Sequence, residues 1–531
     1  MIEILQKDLF ARRAKFQTKS STVETPTFVP VVHPTRELIS PRRMYNEFDC
    51  KIIITNAYLL SKAGFDGPIH DFLDYPGAIM TDSGAYQLLI YGDVDINPTQ
   101  VIEYQETIGS DIAVILDVPT GGYATHQEAQ RTVSETLQRA KNSISHRKIS
   151  EILWVGPIQG GTYPELVKKS AKEISKLDFP IVAIGSPTQL MEQYQFDKLV
   201  DLIMAAKCNI PSNKPVHLFG AGHPMIFPLI VALGCDLFDS AAYALFAQHD
   251  RMLTSDGTIR LRELQEQFCI CPTCNKYTIT EMKQLPKQER IQVLAEHNLR
   301  ICQNEIRRIK QAIAEGRLWR LIETRLSSHP ALVNAMHSVL KYRQLIENFS
   351  PVTKRRAIFI TSHWSLSQPE IIRHQQRMKS YTSPPSNRDT LLLFSAPPAR
   401  PYHTSKEYAR FIQQYQIRSP TKDRNFDTLF LSPFFGLVPL ELSTFYPLAQ
   451  NELPQEVVSE NQSLLAESVE HYLRRNDQYT RIVGIFALTS YWQKFIQLIE
   501  QLSVKIKKPT FLFQIDFSNH SLKHVVSEII D

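Results

Sequence analysis

The chain has 531 residues, of which 43% are hydrophobic, 10% aromatic and 21% charged. That length accommodates two to four domains at roughly 100–200 residues each, and the composition excludes a disordered, collagen-like or mini-protein chain. Lys and Arg number 59 against 54 Asp and Glu, a net charge of +5, so nucleic-acid contact would rest on local patches.

Seven cysteines are too few for a secreted disulfide scaffold of this length, and Cys269, Cys271 and Cys274 are clustered. This pattern favours a reducing compartment and a metal over disulfides. The N-terminal stretch MIEILQKDLFARRAKF interrupts its apolar residues with charges, unlike a signal peptide. Leu218–Cys235 lacks Asp, Glu, Lys and Arg, but its glycines and prolines read as strand, turn and helix start, not a membrane span. The expectation is a cytoplasmic protein with no membrane segment.

Over the first 245 residues, apolar runs alternate with helical patterns. The runs are 28–32, 51–56, 78–84, 112–119, 152–161, 179–187, 215–222 and 235–240. Stretches between them, such as His126–His146 and Tyr163–Lys176, space their apolar residues as helices do. Eight strand–helix units predict an α/β fold, a (β/α)8 TIM barrel over residues 1–265, with an open doubly wound sheet as the competing arrangement. Asn56, Asp82, Asp117, Gln159, Ser186 and Asp239 each fall at the C-terminal end of a predicted strand. In a barrel those ends share one rim, where active sites are built.

Next comes Cys269-x-Cys271-x2-Cys274, with His297 after 22 further residues. Three thiolates and an imidazole are a tetrahedral zinc set, and four protein ligands leave no open position, so one structural Zn2+ is expected in an inserted subdomain spanning 266–345. The other cysteines, Cys50, Cys208, Cys235 and Cys302, read as small core residues. The stretch Lys287–His329 carries Arg300, Arg307, Arg308, Lys310, Arg317, Arg320 and Arg325 among apolar residues. It reads either as a solvated helix face or as a helix on the barrel turning cations outward to a phosphate backbone. Lys354-Arg355-Arg356 is a weaker basic patch. A linking helical segment is expected over 346–380, and a smaller C-terminal α/β domain over 381–531.

Asp82 in TDSGAYQ and Asp239 in DLFDSAAY are the candidate reactive carboxylates. Either alone is more often a helix N-cap or turn residue. Sharing one rim, they suit nucleophilic and general acid/base work at a glycosidic carbon. Asp117 adds an acceptor for a purine-like base edge. Gly160, Gly185 and Gly220 are ordinary turn glycines by default, but at strand ends they let backbone amides approach a flat ligand. Tyr86 and Phe219, core residues by default, lie where they could sandwich a base.

In order and spacing, VETPTFVPVV, TDSGAYQ, PIQGG, HLFGAGHP, DLFDSAAY and the CxCxxC…H site resemble the tRNA-guanine transglycosylases over residues 1 to about 325. LDVPT, GAGHPM, SPVTKRRAIF (350–359) and SPFFGLVPLELSTFYPLAQ (432–450) are similar to the archaeal form. The resemblance implies exchange of guanine at position 15 of the tRNA D-loop for 7-cyano-7-deazaguanine (preQ0), the first step towards archaeosine. It implies that Asp239 is the nucleophile and Asp82 the general acid/base. Asp117, Gln159, Gly160, Gly185 and Ser186 would read the base, with Tyr86 and Phe219 stacking on it. It further implies a homodimer. No clear RNA-binding module of the PUA type is visible, so beside tRNA the expectation is that a separate PUA-type chain or the basic stretches grip the acceptor stem. APPARPYHTSKEY (396–408) resembles an archaeosine synthase motif without its reactive cysteine. Two other readings remain open: a non-catalytic tRNA-binding subunit, and a transglycosylase of another base or nucleic-acid target.

Overall fold

A computed structural model describes residues 2–85, 97–382, 388–420, 425–454 and 461–530. It comprises two compact units, Met1–Tyr342 and Arg343–Asp531. Tyr86 lies outside the described residues.

The first unit opens with an antiparallel sheet of β1 (Glu3–Asp8), β2 (Ala11–Gln17) and β3 (Thr22–Thr25). Eight parallel strands follow: β4 (Thr27–Pro30), β5 (Ile52–Asn56), β6 (Ala78–Asp82), β7 (Ile112–Val114), β8 (Leu153–Ile158), β9 (Ile181–Ile184), β10 (Val216–Leu218) and β11 (Leu237–Ser240). From β5 to β11 each strand pairs with the next, β11 pairs with β4, and a parallel bridge between Val31 and Ile54 joins the ends of the sheet. The strands close into the expected (β/α)8 barrel.

Period-two alternation fills the interior. Val29, Ile52, Ile54, Ala78, Met80, Ile112, Val114, Val155, Ile181, Ala183 and Leu237 form one buried cluster, joined by Phe16 and Val23 from the N-terminal sheet. Two residues beyond Ile54, Met80, Ala183 and Leu237 along their strands stand Asn56, Asp82, Gly185 and Asp239. The same inward parity that makes an apolar core below therefore delivers polar groups to the rim.

Below the barrel layer, Arg12 donates to both oxygens of Asp236 at 2.8 Å, and both side chains are buried. After β11 comes the hairpin β12 (Arg251–Leu253) and β13 (Thr258–Arg260), then the cysteine loop. The basic stretch forms two helices, Lys287–Glu315 and Leu318–Leu326, separated by Gly316 in a left-handed cap. Not all of its cations face outward. Arg325 is buried on Glu305 at 2.8 Å, Lys310 is only partly exposed beside Glu24, and the Arg300 guanidinium stacks over Phe48. Arg307 and Arg308 remain solvent-facing. The apolar stripe draws the flanking cations into partnered sites along the helix edge. Cys208, expected in the core, is exposed at a helix C-cap, whereas Cys50, Cys235 and Cys302 are buried.

The second unit begins at Arg343, so the segment expected to link the domains is folded into it. Its β14 (Ile358–Phe359) pairs with β18 (Asn451–Glu452), and Ile358, Ile360 and Ile371 enter its core. The main sheet runs β17-β16-β15-β19-β20, where β15 (Thr390–Ser395), β16 (Phe426–Ser432), β19 (Arg481–Ala487) and β20 (Thr510–Ile515) are parallel and β17 (Gly436–Pro439) is an antiparallel edge. Leu391 and Leu393 pack on one face and Leu392 and Phe394 on the other, as in parallel sheets covered on both sides. No helix among the described residues is long and apolar enough to cross a membrane.

Candidate active site

A cavity of about 1700 Å³ opens at the C-terminal rim of the barrel. Asp82, Asp117, Gln159, Gly185, Ser186, Phe219 and Asp239 all line it. Gly160 stands behind this wall: its N–H donates to Thr120 Oγ1 at 3.2 Å, and its φ of 143° brings it so close to the following helix that a Cβ would lie 2.6 Å from Val167 N.

The three carboxylates sit in low-dielectric surroundings and make no ion pair with Lys or Arg among the described residues. Asn56 caps the helix Ala57–Lys62 through Oδ1 and donates from Nδ2 to Asp82 Oδ2 at 2.9 Å. Burial, reinforced by the charges of Asp239 and Asp117, pushes the Asp82 carboxyl up to about 7, against hydrogen bonds from the Gly84 and Ser83 amides. It therefore exchanges protons near neutrality.

Asp117 and Gln159 form the second group. Gln159 Nε2 donates to Asp117 Oδ2 at 2.5 Å, while its Oε1 accepts from Thr120 N at 2.9 Å and Ser186 Oγ at 3.0 Å. The amide orientation is thereby fixed. Burial raises the Asp117 carboxyl to about 6 despite the Gln159 bond. Gly185 leaves room for Gln159, whose Nε2 would lie 2.2 Å from a Cβ there. Ser186 holds φ at 60°, unusual for a residue with a side chain, and this conformation accompanies its bond to Gln159.

Asp239 is the penultimate residue of β11 and is 9% exposed. Its Oδ1 accepts from His217 Nε2 at 2.7 Å and from Gly220 N at 3.3 Å. Sequence reading missed His217; the available signal was a histidine at an inward-facing position of PVHLFG, two residues before Phe219. Arg36, Arg251, Arg260, Arg262, Lys283 and Arg290 also line the cavity, together with Glu37, Glu192 and Asp250, the last paired with Arg290 at 2.7 Å.

A family model described as queuine tRNA-ribosyltransferase matches residues 7–331. The chain belongs to this family. A second model, a domain of unknown function, matches residues 371–525. Among similar proteins, the tRNA-guanine(15) transglycosylase of Methanosphaera stadtmanae is 38% identical over 506 residues, covering 92% of this chain and 73% of that protein. The protein of the same name from Methanocaldococcus jannaschii is 42% identical over 465 residues, 85% of this chain and 68% of its own length. That from Methanobrevibacter smithii is 40% identical over 491 residues, covering 89% and 72%.

The part matched by the ribosyltransferase family includes a candidate metal centre. One ligand atom from each of Cys269, Cys271, Cys274 and His297 lies within 4.8 Å of the others. His297 Nδ1 faces Cys274 Sγ at 3.3 Å and Cys271 Sγ at 3.8 Å, while its Nε2 bonds the Leu253 carbonyl at 3.0 Å. This second bond puts the ring proton on Nε2 and frees Nδ1 as a ligand, an arrangement common to metal-binding histidines. The donor set and its spacing fit a single tetrahedral cation. The next residue, Asn298, is fully buried: it accepts from Leu253 N at 2.6 Å and donates to the carbonyls of Tyr243 and Arg251 at 3.1 Å. The helix carrying His297 thus fastens the segment that follows Asp239.

Proposed function

We propose that the protein is a tRNA-guanine transglycosylase that replaces guanine 15 of tRNA with 7-cyano-7-deazaguanine, in the route to archaeosine. The observation that carries this reading is the shared cavity of Asp82 and Asp239, together with the proton affinity that burial and its neighbours confer on Asp82. The relatives' names supply the nucleic acid, the base and the position. The cavity exceeds the roughly 300–1,000 Å³ of ordinary small-molecule sites, consistent with an extruded nucleotide and its flanks. The arginines in its lining suit phosphates.

In this mechanism the Asp239 carboxylate attacks C1′ of the target nucleotide. A C1′–O bond forms as C1′–N9 breaks, and the electron pair leaves with guanine, which takes the Asp82 proton. The incoming base then gives its N9 proton to the Asp82 carboxylate, attacks C1′ and releases Asp239. Two displacements at one carbon retain its configuration. Asp117 and Gln159 would read the base edge, Gly185 and Ser186 would border it, and Gly160 would hold Gln159 in place. Phe219 supplies one stacking face, and the role expected of Tyr86 is the other. One structural zinc on Cys269, Cys271, Cys274 and His297 would hold the loop and its helix against the barrel, apart from the chemistry. A homodimer belongs to the same reading.

The test is incorporation of radiolabelled guanine or 7-cyano-7-deazaguanine into tRNA by wild type and Asp239→Ala. Incorporation is expected to fall by roughly 10⁴-fold or more in the variant. Equal incorporation by the two proteins overturns the assignment of Asp239.

A further inference from the structure

Beneath the rim the barrel's interior holds an apolar cluster. His217 on β10 lies in register between Ala183 on β9 and Leu237 on β11, both members of the interior cluster. It is 0% exposed. A polar ring in such a layer loses its hydration and is disfavoured unless a hydrogen bond compensates. His217 has that bond on one nitrogen only: Nε2 meets Asp239 Oδ1 at 2.7 Å, whereas Nδ1 is buried with no hydrogen-bond partner among the described residues.

The geometry selects the ring's tautomer. An ionised carboxylate only accepts, so the shared proton lies on Nε2. Moving it to Nδ1 would set two lone pairs against each other at 2.7 Å and bury an N–H with no described acceptor. The ring also has little freedom to turn, with Phe219 at 4.7 Å between centroids.

Two donors therefore converge on one oxygen of Asp239, the His217 Nε2–H from below and the Gly220 N–H at 3.3 Å. No donor among the described residues reaches the other oxygen, Oδ2, and Asp239 lines the cavity. Resting on the transglycosylase reading above, we propose that His217 is a positioning residue: with the Gly220 amide it clamps Oδ1 and presents Oδ2 as the oxygen that attacks the sugar carbon. An unclamped carboxylate rotates about its Cβ–Cγ bond and offers either oxygen in many orientations. Fixing one oxygen holds the other in an attack geometry before the substrate arrives, and misplacement of about 1 Å can cost ~10²-fold in rate.

Single-turnover formation of the denaturant-stable tRNA adduct tests this in wild type, His217→Phe and His217→Gln, alongside the dissociation constant for tRNA and the melting temperature. Phe keeps a planar ring without the donor, while Gln carries an N–H near the position of Nε2. The expected result is adduct formation slowed ~10²-fold in His217→Phe, with tRNA affinity within about two-fold of wild type, and recovery to within ~10-fold in His217→Gln. Adduct formation by His217→Phe at the wild-type rate overturns the proposal, as does an equal loss in both variants. Absence of any adduct in wild type overturns the transglycosylase reading, and the role of His217 with it. A measurement needing no variant is nitrogen NMR of the chain labelled at histidine. It should find the His217 proton on Nε2, and a proton on Nδ1 would overturn the clamp whatever the kinetics.

Discussion

The barrel rim and the cysteine loop each gather groups that can carry negative charge, and they treat that charge in opposite ways. At the rim, Asp82, Asp117 and Asp239 share a cavity with no Lys or Arg ion pair among the described residues, and two of them are pushed towards their neutral forms. In the loop, three thiols and an imidazole crowd within 4.8 Å, a set whose thiolate charge one divalent cation would offset in large part. Charge left uncompensated is available to react, whereas compensated charge holds structure. The contrast recurs within the six residues CDLFDS: Asp236 is bound bidentately by Arg12, while Asp239, three residues on, meets only a histidine and an amide.

Removing those two aspartates separately should have the largest and most different effects. Asp239→Ala should abolish base exchange and leave the melting temperature within a few degrees of wild type. Asp236→Ala strands a buried Arg12 and should cost ~3–5 kcal/mol of stability, read by denaturant unfolding. Similar stability losses in both variants would erase the distinction. Chelation tests the loop: stripping the metal should lower stability on the order of 5 kcal/mol, with hydrogen exchange rising first around Cys269–His297. Metal analysis that finds no stoichiometric zinc in purified protein would contradict the closed site.

A smaller effect sharpens the rim. The Asp82 carboxyl is raised from 3.8 to about 7, so between those values the folded chain holds a proton that the unfolded chain has lost. Stability therefore declines as pH rises through this window, and the cost is complete above about pH 7. Asp82→Asn should be more stable than wild type by ~2 kcal/mol at pH 8 and no more stable at pH 4, measured by unfolding at each pH. Wild-type adduct formation is expected to decline above neutrality, and the same variant should lose that decline.

Much of the barrel was legible because inward-facing strand residues repeat every second position and strand ends carry Asn56, Asp82, Asp117, Gln159 and Asp239. The metal centre was legible because its cysteines are nearly contiguous and require little knowledge of the fold. Other features depended on distant partners. Nothing near Lys310 or Arg325 in sequence reveals Glu24, or that Glu305 closes on Arg325 across a helix break. His217 escaped notice because a lone histidine inside an apolar run looks like packing until β10 and β11 are placed side by side. The segment 346–380 looked like a connector because its strand Ile358–Phe359 has only two residues and finds its partner at Asn451–Glu452.

In the proposed reaction Asp239 is the uncompensated carboxylate that bonds to the nucleotide. Wild-type protein can be mixed with guanine-15 tRNA, denatured, digested with nuclease and protease, and sequenced by mass spectrometry. The expected result is a nucleotide mass on Asp239 of the peptide containing CDLFDS, attached through C1′ of nucleotide 15. A modified Asp82, or an adduct that persists in Asp239→Ala, would contradict it.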